Sequence, residues 1–390
     1  MKRFTVLRAF ALLLSLILLI SLVGCSASAK ARPTSNANKV VATAGEAEIM
    51  YDELYYLAMT RIDELKAEDP AALESAEVRA DLEKFVWENL LTESHALLVL
   101  GEAYGLDVEK GEIADSVQEQ IDTIVTESFE GDRDAYIESL NKAHLTDRYV
   151  RTYIAVQDYL AIEIIKVMLE RGELDDSDEA AQRFIDDGDE DEHNDMMIRV
   201  EQVLIETANY KNAEAARAKA EELRAAVAAH TDEKARAAAM RLAMQYSTYL
   251  GTADGLYFAR GEMAQDFEQT AFSLDHYAVS EVIEVESGFC FVMRLPKDEA
   301  YIARNFEMLK QKAYFVTLNQ KVEKLLSEMT LEKTELGASL DLTSLPEIDA
   351  NGGQWRFVLV WCLVGAAVLG VGGYFTYRGL KKYAAHPKKK

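Results

Sequence analysis

The chain has 390 residues, 49 % of them apolar, with 42 Lys or Arg against 67 Asp or Glu and a formal charge of −25. That length suits more than one domain, with apolar content enough for a core in each. So negative a balance excludes nucleic acid, whose phosphates it repels, and favours basic or unfolded polypeptides as partners.

Lys2, Arg3 and Arg8 precede an apolar run from Ala9 to Gly24, the pattern of a targeting segment too short to span a bilayer comfortably. The run ends in Leu22-Val23-Gly24-Cys25, which resembles the lipobox of bacterial lipoproteins. That resemblance implies a signal peptide over 1–25 and lipidation of Cys25 as the first residue of the mature protein. Residues 26–38 are small and polar and read as a tether. Of the three cysteines, Cys362 falls in an apolar stretch near the C-terminus, so Cys290 stands alone between the ends and no internal disulfide is expected.

Val40 to Ala44 reads as a short strand and Gly45-Glu46 as a turn, with a helical pattern beginning at Ile49. From Leu82 to Ile124 helical spacing dominates, and Gly105 stops the first helix as a C-cap glycine does. His95, between Leu91 and Leu98, is expected as a half-buried packing histidine. Thr146 is placed to cap a helix on which Tyr149, Tyr153, Val156 and Leu160 form one apolar stripe. The stripe reads as core, with a client-binding groove as the alternative for part of that face. Glu170 to Asp195, containing DDGDEDEHND and His193, reads as an acidic, solvated hinge; its spacing fits no EF-hand loop, and no metal is expected.

Arg199 to Ile205 alternates as a strand, and Ala213–Ala229 and Lys234–Gln245 are Ala-rich helical stretches. A strand over Leu256–Phe258, a helix over Met263–Phe272 and two β-rich runs, Val279–Val285 and Phe289–Leu295, follow. Phe315, Leu318, Val322, Leu325 and Met329 then mark one face of a helix. Leu336 to Gly353 reads as a linker. Trp355 to Tyr377 is long and apolar enough for a transmembrane helix, and the Lys- and Arg-rich residues 378–390 place the C-terminus in the cytoplasm. The main domains are therefore expected at the cell membrane on its extracytoplasmic side.

Residues 255–295, GLYFARGEMAQDFEQTAFSLDHYAVSEVIEVESGFCFVMRL, resemble the second half of a parvulin-type (PpiC-like) peptidyl-prolyl isomerase domain. The helical unit FVWENLLTESHALLVLGEAYGLDVEKGEIADSVQEQI and the late helix near 315–329 resemble the discontinuous chaperone domain of SurA- and PrsA-type foldases. The resemblance implies an α+β chain: a helical chaperone domain over 39–195 completed by 300–335, and a parvulin-like α/β domain over 196–298. It is followed by a linker over 336–354 and the transmembrane helix over 355–377.

The same resemblance assigns the site. Leu256, Met263, Phe267 and Phe272 fall where the family places its apolar substrate pocket, and Met263 and Phe267 stand at i and i+4 on the expected helix. The alternative is that the four pack the domain core. Gln202 and Cys290 occupy the catalytic positions where the family usually carries histidines, and the loop Ser247–Asp254, with Thr248 and Tyr249, is shortened. Rotation about an Xaa–Pro bond needs no nucleophile, metal or cofactor, only a barrier of about 18–20 kcal/mol lowered by desolvation and support of the twisted amide. The resemblance thus implies a membrane-anchored foldase that binds unfolded or proline-containing exported chains, with catalysis weak or lost. An active isomerase with a modified network and a non-catalytic scaffold for a membrane partner are the alternatives.

Overall fold

The computed structural model describes residues 36–186, 195–249 and 254–348. Cys25, His193 and the span expected over 355–377 lie outside the described residues. Among the described residues no helix is long and apolar enough to cross a membrane. Strands and helices are mixed. The strands are β1 (Val40–Ala44), β2 (Ala47–Met50), β3 (Met197–Glu206), β4 (Leu256–Ala259), β5 (Ile283–Val285), β6 (Gly288–Leu295) and β7 (Leu331–Lys333). Two compact units result, one from residues up to 164 and from 325 onward, the other from 165–324.

The first unit is built on a three-stranded sheet in the order β2-β1-β7. Gly45 turns the β1–β2 hairpin with φ +61°, the sign that a type II′ turn asks of its first central residue. The helical pattern expected from Ile49 begins two residues later. Ile49 pairs with Ala42 in the hairpin and is fully buried, and the backbone stays extended through Met50 before helix α1 (Tyr51–Glu68) starts. Helices α2 (Ala76–Asn89), α3 (Glu93–Ala103), α4 (Gly111–Ser128) and α5 (Arg133–Lys142) follow, then a π-helical turn (Val150–Ile154) and α6 (Gln157–Glu170). Gly105, with φ +82° just past the end of α3, is the expected C-cap glycine. Thr146 is the expected N-cap, accepting from the Tyr149 N–H at 3.0 Å. Tyr149, Val156 and Leu160 are buried, as the stripe requires.

Two readings are corrected in this unit. His95 is not half-buried but 3 % exposed, and it is held by polar partners rather than apolar packing. Its Nε2 lies 3.0 Å from Glu53 Oε2, its Nδ1 accepts from the Thr92 N–H at 3.2 Å, and the Tyr153 hydroxyl is 3.0 Å from the same Nδ1. Beside it, Arg148 pairs with both Asp52 and Glu53. The stretch read as a linker from 336 is packed as far as 348. Leu342, Leu345 and Ile348 join the core of Val41, Leu54 and Leu82, and Tyr51 donates to the Pro346 carbonyl at 2.7 Å. A Cβ added to Gly337 would lie 2.0 Å from the Val41 carbonyl oxygen, so only glycine permits that approach.

In the second unit a four-stranded antiparallel sheet runs β4-β3-β6-β5. Part of the stretch read as a hinge is instead helix α7 (Asp178–Ile185). Ser177 caps it, and Ala181, Phe184 and Ile185 are buried, an amphipathic spacing that the surrounding acidic residues conceal. Helices α8 (Ala213–Ala228) and α9 (Glu233–Ala243) bury Ala216, Ala220, Val227 and Met240 against Val203, Ile205, Phe289 and Phe291. The opposite sheet face takes α10 (Gln265–Phe272). Helix α11 (Glu299–Glu328) follows. Its expected stripe holds at Leu318 and Val322, but Phe315 is 38 % exposed, because the neighbouring Tyr314 and Val316 are turned inward instead.

Candidate functional site

Period-two alternation in β3 divides its side chains between the two sheet faces. Val203 and Ile205 go to the α8–α9 core; Ile198, Val200 and Leu204 go to the other face, so Gln202 lies there too. On β6 the same alternation sends Cys290 and Val292 to that face. Leu204, Cys290 and Ile283 form one row across β3, β6 and β5, while Gln202 pairs with Val292 and so stands diagonally from Cys290. Diagonal neighbours are within reach of long side chains. The Gln202 side chain accordingly comes near enough to the Cys290 thiol to act on its protonation.

Cys290 is fully buried. Burial pushes its thiol up to about 11, against the opposing pull of the Gln202 carboxamide. Both groups are therefore neutral near pH 7, and the pair offers hydrogen bonding without a charge.

Around this pair the face is apolar. Phe267 and Phe272 from α10 are 4 % and 2 % exposed and enclose Phe258, with ring centroids 5.7 and 5.6 Å from it. Leu256 and Met263 are half-buried, as are Leu204, Ile283 and Val285. The four expected pocket residues thus share one cluster with Cys290; two form its floor and two its rim. One detail of the expectation changes. Met263 precedes α10 rather than lying on it, so it and Phe267 are not one turn apart on a helix. Gly261 turns the chain with φ +84°, and its N–H donates to Glu268 Oε2 at 2.7 Å, which holds 261–264 outside the helix.

The loop after α9 is tied to β3. Ser247 Oγ accepts from the Leu204 N–H at 2.9 Å, and the Thr248 N–H donates to the Leu204 carbonyl at the same distance. Tyr249 is half-buried and donates its N–H to Ser247 Oγ at 3.2 Å. Residues 250–253 of that loop lie outside the described residues.

Sequence reasoning missed the outer support of the slot. Arg294, 2 % exposed, donates to Asp195 Oδ2 at 2.7 Å and to the Leu274 carbonyl at 2.9 Å, which pins the end of α10. The Arg260 guanidinium lies 4.2 Å from the Phe272 ring centroid. No sequence spacing announces an ion pair between residues 99 positions apart. The rim residue Leu204, in contrast, was legible from alternation two positions after Gln202. Among the described residues no group of His, Cys, Asp and Glu is arranged to hold a metal.

Residues 196–295 match the family described as Rotamase, the PPIC-type PPIASE domain. Several solved structures are similar to the chain. One is the foldase protein PrsA of Streptococcus pneumoniae, at 20 % identity over 74 % of this chain and 92 % of that one, with a TM-score of 0.29. Another is PrsA of Bacillus anthracis, at 17 % identity over 62 % and 95 %, with a TM-score of 0.25. A third comes from work on PEB4 and Cj1289, two SurA-like chaperones of Campylobacter jejuni, at 15 % identity over 61 % and 95 %, with a TM-score of 0.22. At such identities and scores these likenesses carry no inference about the whole chain. Comparison with curated proteins finds no match.

Proposed function

Taking residues 196–295 as a rotamase domain of the PPIC type, we propose that this chain is a membrane-held extracytoplasmic foldase that binds proline-containing segments of unfolded exported proteins. In this reading the slot is retained and catalysis is weak or lost. The observation that carries it is the neutral Gln202–Cys290 pair at the floor of an apolar, half-open sheet face. A proline ring gains from apolar burial against Leu256, Met263 and Phe267. Twisting of the imide, in contrast, is speeded by groups that support the non-planar state more than the planar one. A buried thiol is only a weak donor and acceptor, and neither it nor a carboxamide can take up a proton near pH 7 as an imidazole can.

The membrane part of the reading rests on sequence alone: the lipobox-like Cys25, the apolar stretch 355–377 and the basic residues after it. Lipidation of Cys25 is tested by mass spectrometry of the mature N-terminus. The foldase part is tested with the full-length protein in neutral detergent, added to an unfolded, reduced protein as it aggregates. Suppression of aggregation together with saturable binding of a proline peptide is expected. Neither effect would leave a dedicated scaffold for one membrane partner as the better account.

A further inference from the structure

The segments that build the slot face are mainly acidic. Outside α8, α9 and their connections, residues 196–210 and 244–295 contain ten Asp or Glu, three Arg and no Lys; of the ten, Glu201 lies on the opposite face, and Glu281 and Glu284 pair with Arg224 and Arg217 of α8. Residues 211–243 hold seven Lys or Arg and five Asp or Glu, so the cations of the domain are gathered on the opposite sheet face.

The three arginines are all engaged. Arg199 donates to the Asp254 and Pro296 carbonyls at 2.8 and 3.1 Å, Arg260 donates to the Asp195 carbonyl at 2.8 Å, and Arg294 is buried against the Asp195 carboxylate. Several carboxylates are committed too, Glu262 to Lys312 at 2.5 Å and Asp254 to Arg304 at 3.3 Å. Glu206, Asp266 and Glu286 have no cation at ion-pair distance among the described residues. Glu206 follows Leu204 by two on the slot face of β3 and shares a row with Gly288 and Val285. Glu286 follows Val285, and Asp266 precedes Phe267 in the first turn of α10.

We propose that this apolar face selects prolines flanked by lysine or arginine, a cationic polypeptide segment being its occupant. The inference rests on the binding reading above and names its substrate class. An apolar floor with neutral Gln202 and Cys290 takes the ring, and the unneutralised carboxylates at the rim attract cationic neighbours and repel acidic ones. One exposed ion pair is worth roughly a factor of two to five in affinity, so several at one rim discriminate measurably.

The test uses full-length protein in neutral detergent and four alanine-based peptides that differ only at the centre: Lys-Pro-Lys, Ala-Pro-Ala, Glu-Pro-Glu and Lys-Ala-Lys. Lys-Pro-Lys is expected to bind about fivefold tighter than Ala-Pro-Ala, with Glu-Pro-Glu weakest. The gap should close at about 0.5 M salt and in Glu206→Gln/Asp266→Asn/Glu286→Gln, whose melting transition reports that it is folded. Equal affinity for the three proline peptides overturns charge selection while leaving the slot intact. Lys-Ala-Lys binding as tightly as Lys-Pro-Lys overturns it as well, by placing the cations elsewhere. A gap that survives in the triple variant overturns the assignment to these carboxylates. Binding of none of the proline peptides overturns the slot reading itself.

Discussion

Gln202 and Cys290 stand diagonally on β3 and β6 and share the slot face, where the half-buried Gln202 carboxamide acts on the protonation of the fully buried Cys290 thiol. Two positions that are 88 apart in sequence, and that the parvulin resemblance pairs only by analogy, are brought together by the register of one strand pair. The chemistry of that contact sets the first expectation.

Cys290 should be unreactive in the folded protein. Its pKa is raised to about 11, so the thiolate that attacks alkylating agents is scarce at pH 8. Because the folded pKa exceeds that of an unfolded cysteine, this linkage favours the fold below the unfolded value and is lost as pH rises through about 11. Peptide mapping after iodoacetamide at pH 8 should find Cys290 unmodified without urea and modified with it. Rapid labelling of the native chain would contradict the burial.

Slot-floor and rim residues should separate in their effect on stability. Phe267→Ala removes a buried ring and is expected to cost about 3–5 kcal/mol. Met263→Ala, at a half-buried position ahead of α10, should cost roughly half that or less while weakening proline-peptide binding. Urea titration compared with peptide affinity checks both. Met263→Ala with unchanged affinity would place the ring elsewhere.

Glu201 sits on the face opposite the slot, 7 % exposed, and its Oε2 has no hydrogen-bond partner. Burial raises its pKa although Arg241 and Arg199 pull the other way. A raised folded pKa means that stability present at low pH is lost as pH rises through it. Glu201→Gln should therefore raise the melting temperature near pH 7, with the advantage shrinking toward acid. An advantage that grows on acidification would reverse the sign.

In the first unit, Asp52 is fully buried. Burial lifts its pKa while Arg148 and Thr146 oppose the lift; burial also works against the Arg148 charge, but hydrogen bonds and attraction from Asp52 and Glu53 outweigh it. Arg148→Met strands a buried carboxylate and should cost about 3–5 kcal/mol at pH 7. The loss should lessen as acid protonates Asp52. Melting across pH 5–8 reports it.

How far the sequence led depended on whether a signal was local. The β3 and β6 strands were legible because alternation puts Val203, Phe289 and Phe291 on one face and Cys290 on the other. The Gly105 stop and the Thr146 cap were legible because each acts on its own turn. The Glu53–His95–Arg148 cluster was not, since His95 lies 42 residues from Glu53 and nothing nearby marks it as polar-bonded. Residues 336–348 looked like a linker because their Gly, Ser and Pro content hides Leu342, Leu345 and Ile348. The helix expected from Met263 failed on a single turn at Gly261, whose φ sign no periodicity reveals.

The central claim is a retained slot without the usual network. It is tested most directly by exchange NMR of the cis and trans forms of a Lys-Pro peptide, with and without the full-length protein. Uncatalysed exchange takes about 10–100 s. The account predicts saturable binding that Met263→Ala weakens, with exchange accelerated only a few-fold or not at all. Acceleration of about a hundredfold or more, close to 3 kcal/mol of barrier lowering, would show that Gln202 and Cys290 sustain catalysis and would contradict it.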